Sequence, residues 1–123
     1  MTITHENFGS LQMKGVAAVP VPVDVDAAAT RLSKAITFPT ISNQDRADFD
    51  EKAFDGLHRY LESAFPLVHK KLKRETLGEP RRFSLLYTWE GKDPSLPAIV
   101  LMGHQDVVPV VPGTEKIWEH PPF

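Results

Sequence analysis

Residues 1–23 show no sustained hydrophobic period. They mix Gly, Ser, Asn and other polar residues and run into Val19-Pro20-Val21-Pro22-Val23, a proline-rich connector, so this stretch reads as an extended arm before the fold. From Asp24 onward Val25, Ala28, Ala29, Leu32, Ala35 and Ile36 recur at three- and four-residue steps, which predicts a helix with Asp24 or Asp26 as its cap. Phe38 stands before Pro39, which disfavours helix, so Phe38-Pro39-Thr40-Ile41-Ser42 reads as a connector. Asp48 with Glu51 three residues later resembles a capping box with Asp in place of Ser or Thr. It opens a second predicted helix whose stripe is Ala53, Phe54, Leu57, Tyr60, Leu61, Ala64 and Phe65, ended by Pro66 and weakened modestly by Gly56.

After Pro66 the period shortens toward two. Lys71 to Leu77 is a weak strand candidate closed by Gly78-Glu79-Pro80. Phe83, Leu85, Tyr87 and Trp89 then alternate with Ser84, Leu86 and Thr88, predicting a strand with one aromatic-rich face and a turn at Glu90-Gly91-Lys92-Asp93-Pro94. Ala98-Ile99-Val100-Leu101-Met102 is apolar at every position, the pattern of a strand buried on both faces. The pattern therefore predicts an α/β fold: two helices packed on a partial mixed sheet whose central strand ends at His104.

Composition narrows the functional classes. The chain has 123 residues, 14 Lys+Arg against 16 Asp+Glu, a formal net charge of −2 and 41% hydrophobic residues, the proportions of a soluble globular protein. That balance gives no general pull toward nucleic acid. Lys70-Lys71-Leu72-Lys73-Arg74 is short and lacks interleaved aromatics, so it reads as a solvated strand edge. With no cysteine, disulfides, thiolate metal sites and cysteine nucleophiles are excluded, and any metal must be held by His, Asp or Glu. No membrane segment or signal peptide is visible, which makes a cytoplasmic location the default while leaving a membrane-anchored or exported parent open.

The apolar run leads directly into Gly103-His104-Gln105-Asp106-Val107-Val108-Pro109. In open α/β sheets ligands gather beyond the carboxyl ends of strands, and in extended backbone residues two apart share a face. His104 and Asp106 can thus point the same way, imidazole as metal ligand and carboxylate as the group that orients it. A lone His-x-Asp is weak; on that tripeptide a polar loop capping a strand is the better reading. His5, His58, His69 and His120 read as surface or capping residues, and neither Glu115 nor Glu119 has a spacing that recommends it as a general base. Ser42 and Ser84 lack a base-and-orienter pattern.

The longer string carries more. Gly103-His104-Gln105-Asp106-Val107-Val108-Pro109-Val110, with Pro112-Gly113-Thr114, Trp118 and Pro121-Pro122-Phe123, resembles the first metal-site segment of a zinc-dependent exopeptidase and amidohydrolase family. That family includes carboxypeptidase S, aminoacylase, succinyl-diaminopimelate desuccinylase and acetylornithine deacetylase, and the resemblance is closest to the carboxypeptidase S branch. It extends to Leu32 through Ser42 and to Leu85 through Pro97, with Tyr87-Thr88-Trp89-Glu90-Gly91. The resemblance implies that residues 24–123 are the first, incomplete part of a metallopeptidase catalytic domain. It implies His104 as a direct zinc ligand and Asp106 as an active-site residue supporting it, in a site of two zinc ions that activate a water against a peptide or N-acyl amino-acid substrate. The family's bridging aspartate, base glutamate and remaining ligands lie in segments after the position matching Phe123, so a single ligand is present here and the isolated chain is expected to be inactive. Trp118 and Phe123 are candidates to line a substrate pocket or to pack against those segments. The alternative is a stand-alone non-enzymatic α/β domain that binds a partner or complements a related enzyme. Oligomeric state is left open.

Overall fold

The computed structural model describes residues 15–123; residues 1–14, including most of the predicted arm and His5, lie outside the described residues. Residues 16–24 form no helix or strand and are exposed. Helix α1 is Val25–Ala35, begun by Asp24, whose carboxylate accepts from the Ala27 N–H at 2.9 Å; Asp26 sits in the first turn, where its charge suits the helix dipole. The predicted apolar stripe is present but no residue of α1 is buried. The helix is tied down by its carboxyl half: the Tyr60 hydroxyl donates to the Arg31 carbonyl at 2.9 Å, and Phe38 and Tyr60 meet with ring centroids 5.6 Å apart.

Helix α2, Glu51–Ala64, holds the core, with Ala53, Phe54 and Leu57 only 5–7% exposed. Its cap is Asp50, accepting from Lys52 N–H at 2.9 Å and Ala53 N–H at 3.3 Å, rather than Asp48 as the capping-box spacing predicted. The reason is a hydrophobic staple. Phe49, just before the cap, stacks on Phe54 at 4.5 Å and 17°, which fixes the chain's entry two residues later. Asp48 instead closes a 3-10 turn, Arg46–Asp48, and its carbonyl accepts from the Asn43 amide. Gly56 has a positive use: a Cβ there would stand 3.1 Å from the Phe38 ring, so the glycine lets the connector cross close to α2.

Pro66 ends α2 and also opens a short helix α3, Pro66–Lys71, since proline is tolerated at a first helical position. The strand predicted from Lys71 therefore starts later: β1 is Lys73–Leu77 and pairs antiparallel with β2, Ser84–Thr88, in the register Glu75 opposite Leu86. The basic run is split between the end of α3 and β1, where Lys73 meets Glu75 at 3.2 Å and Arg74 meets Glu62 at 4.0 Å. Leu85 and Tyr87 turn inward as the alternation predicts, whereas Trp89 falls beyond β2 and is exposed. Phe83, just before β2, joins the α2 cluster, 5.2 Å from Phe49 and 5.6 Å from Phe54.

The α/β character holds, with an antiparallel pair plus an isolated parallel bridge between Ile41 and Val107. The central strand does not. Ala98–Met102 forms no ladder, and Ile99, Val100, Leu101 and Met102 are 73–93% exposed. Burial on both faces needs pairing strands and cover above and below, and among the described residues nothing supplies them to this run. No helix among the described residues is long and apolar enough to cross a membrane.

Candidate functional site

The segment 103–108 is held against the body by the connector after α1. Val107 N–H donates to the Thr40 carbonyl at 2.9 Å, Ser42 N–H donates to the Val107 carbonyl at 2.8 Å, and the buried Thr40 hydroxyl donates to the Gln105 carbonyl at 2.7 Å. The predicted connector is thus the partner that fixes the motif.

His104 and Asp106 do come together. The His104 Nδ1 lies 2.7 Å from the Asp106 carbonyl oxygen and 3.3 Å from its carboxylate Oδ1. A carbonyl oxygen can only accept, so Nδ1 carries the proton and Nε2 keeps its lone pair. The His104 side chain is 84% exposed, leaving that lone pair accessible to a ligand-seeking cation. Among the described residues there is no cluster of three or more His, Asp or Glu placed to hold a metal ion. The donor set on this chain is one imidazole with a carboxylate beside it, which fits one ligand position of a zinc site and its orienting group, and does not fill three.

Between them, Gln105 faces inward. Its Nε2 donates to the Phe83 carbonyl at 3.2 Å, which turns its Oε1 toward the His58 Nε2 at 2.7 Å, so His58 donates. His58 is buried on α2, not a surface or capping residue as its sequence context suggested. Burial pushes its pKa below 6.5; the Gln105 bond and Asp55 oppose that shift, and Arg74 adds to it. The available signal was positional: His58 is four residues from Phe54 and adjoins Leu57, so it lies on the stripe facing the core.

His69 is also more than a member of a basic run. Its Nδ1 lies 3.0 Å from the Phe65 carbonyl and so donates, leaving Nε2 to accept from the Tyr87 hydroxyl at 2.7 Å, with the two rings edge to face. Desolvation raises the Tyr87 pKa, with Glu62 adding to the rise and Arg74 opposing it. His120 is exposed.

Two open clefts meet at the motif. One, about 660 Å³, runs between His104, Gln105 and Asp106 and the turn joining β1 to β2, which carries Arg81 and Arg82. Arg81 lies over the Phe49 ring at 4.7 Å and meets Glu51 at 3.6 Å. The other, about 490 Å³, is largely apolar, and both Trp118 and Phe123 line it together with Leu57 and Leu61 of α2.

No family model matches the chain, and no solved structure matches it. Curated sequences do. Carboxypeptidase S of Saccharomyces cerevisiae is 44% identical over 107 residues, 83% of this chain and 18% of that protein. Probable carboxypeptidase S-like 2 of Dictyostelium discoideum is 46% identical over 97 residues, 77% of this chain and 18% of that protein. The N-fatty-acyl-amino acid synthase/hydrolase PM20D1 of Mus musculus is 33% identical over 118 residues, 93% of this chain and 22% of that protein. The chain thus spans about a fifth of the length of the relatives it matches.

Proposed function

From a chain that belongs by sequence to the carboxypeptidase S-like family over three quarters or more of its length, we propose that it is one part of a metallo-exopeptidase or amidohydrolase. The whole acts on peptide or N-acyl amino-acid amide bonds. The observation that carries this reading is the geometry of His104, whose Nδ1–H donates to the Asp106 carbonyl while Nε2, on an exposed side chain, keeps its lone pair.

In this reading His104 would hold zinc through Nε2. Asp106 fixes the ring's tautomer and orientation, so the lone pair is presented without a search over rotamers. Zinc, when bound in a two-ion site, supplies a water of lowered pKa and a polarised carbonyl. The remaining ligands and the proton-accepting base belong to the four fifths of the relatives' length that this chain does not match. The chain alone is therefore inactive, since one imidazole cannot hold a catalytic zinc.

The test is a hydrolysis assay on dipeptides and N-acyl amino acids with added zinc. The chain is assayed alone, then fused in place of the matching segment of a carboxypeptidase S relative. The fusion is expected to hydrolyse and the chain alone is not, and His104→Ala in the fusion is expected to abolish turnover. Full activity in the fusion after His104→Ala, or hydrolysis by the chain alone, overturns the proposal.

A further inference from the structure

We propose that His58 is a positioning residue for the His104–Asp106 pair, acting through the side chain of Gln105; its purpose rests on the reading of His104 as a metal ligand, its geometry does not. Along extended backbone, successive side chains point to opposite faces. Gln105 lies between the two site residues and faces inward, while the side chains of His104 and Asp106 are 84% and 43% exposed. The structure holds it inward at three atoms, from three distant parts of the chain. His58 donates to Oε1 at 2.7 Å, Nε2 donates to the Phe83 carbonyl at 3.2 Å, and the Thr40 hydroxyl donates to the Gln105 carbonyl at 2.7 Å. A slip of one residue would turn Gln105 to solvent and carry His104 and Asp106 into the body.

His58 is the side chain that makes this arrangement selective. It stands on the otherwise apolar face of α2, buried, its ring 5.9 Å from that of Phe83. An aliphatic residue would fill the same place without the cost of burying a polar ring, a cost that the bond to Gln105 offsets. Once buried, its Nε2–H is satisfied by a glutamine carbonyl at position 105, so the helix recognises the parity of the motif. His58 touches neither His104 nor Asp106 in these contacts, and its role is orientation.

The experiment uses the whole chain, with NMR of isotope-labelled histidine ring nitrogens at neutral to slightly basic pH. His104 is expected mainly as the Nδ1–H tautomer. His58→Phe and Gln105→Leu are each expected to shift the tautomer ratio by about fivefold toward Nε2–H, the worth of one ordinary hydrogen bond. His58→Gln, whose amide N–H reaches the same oxygen, is expected to restore it. A merely structural role for His58 would lower the melting temperature and leave the His104 ratio alone. An unchanged ratio in Gln105→Leu, in a chain that still melts cooperatively, overturns the proposal even where His58→Phe fails to fold. The fusion separates this from the metal reading. Full turnover there after His104→Ala, with a His104 tautomer that follows His58 in the chain, overturns the metal assignment and keeps the positioning role; turnover lost after His104→Ala, with a tautomer that ignores His58, does the reverse.

Discussion

Phe49 to Leu57 and Ala98 to Met102 both carry large apolar residues, yet Phe54 and Leu57 are among the most buried residues described and Leu101 and Met102 among the most exposed. The first region finds its partners locally. Phe49 and Phe54 are five residues apart and are brought together by one helix start, and Phe83 completes the cluster. The second finds none among the described residues, because a strand buried on both faces depends on ladders and cover that are not local. Apolar content states a demand for burial; only partners meet it. The candidate site lies at the join, tied by Gln105 to the packed region while only Gly103 separates His104 from the unpacked one.

Phe54→Ala removes a ring from the packed cluster and should produce the largest effect, about 3–5 kcal/mol as for other buried aromatic truncations. Against the 5–15 kcal/mol of an ordinary domain, a core this small is expected to lose its cooperative melt, read by circular dichroism. A Phe54→Ala chain that melts as before would mean that the cluster is not what holds the fold. Asp50→Ala should cost about 1 kcal/mol through the lost cap, and Asp48→Ala only a few tenths. Urea titration decides between them, and the reverse order would restore the capping-box start.

Acid should act through His58. Its folded pKa lies below 6.5, so the unfolded chain takes up the proton first as pH falls. Stability from this group is complete above 6.5 and is lost as pH drops from there toward the lowered folded value. Urea midpoints measured across that window should decline in the parent chain, and His58→Gln should remove that part of the slope. The smallest effect is expected at Leu101→Ser, within about 0.5 kcal/mol as for exposed sites generally. A loss above 2 kcal/mol there would show that the run is packed in solution.

What the sequence disclosed divides along the same line. The helical periods of α1 and α2 and the alternation of β2 are short-range signals, and they placed those elements to within a few residues. The start of α2 was misplaced because two local signals compete there, Asp48 with Glu51 and Phe49 with Phe54, and aromatic stacking prevails over the spacing of a carboxylate pair. That His104 and Asp106 can share a face was legible from their two-residue spacing. The partners that hold Gln105 were not, since they lie 22, 47 and 65 residues away in the chain. His58 offered a trace of its role in standing on an apolar stripe; Thr40 offered none.

The exposed run has a further consequence for handling the molecule. Ala98 to Met102 carries no charge, and five successive apolar residues, four of them large and exposed, form the kind of segment that seeds intermolecular β-stacking. Pro97 precedes it and removes one amide donor from its leading edge, a gatekeeper on one flank only. Colloidal behaviour is therefore governed by this run rather than by the melting of the folded core: light scattering should rise with protein concentration well below the unfolding temperature, and a single lysine at Val100 should suppress it.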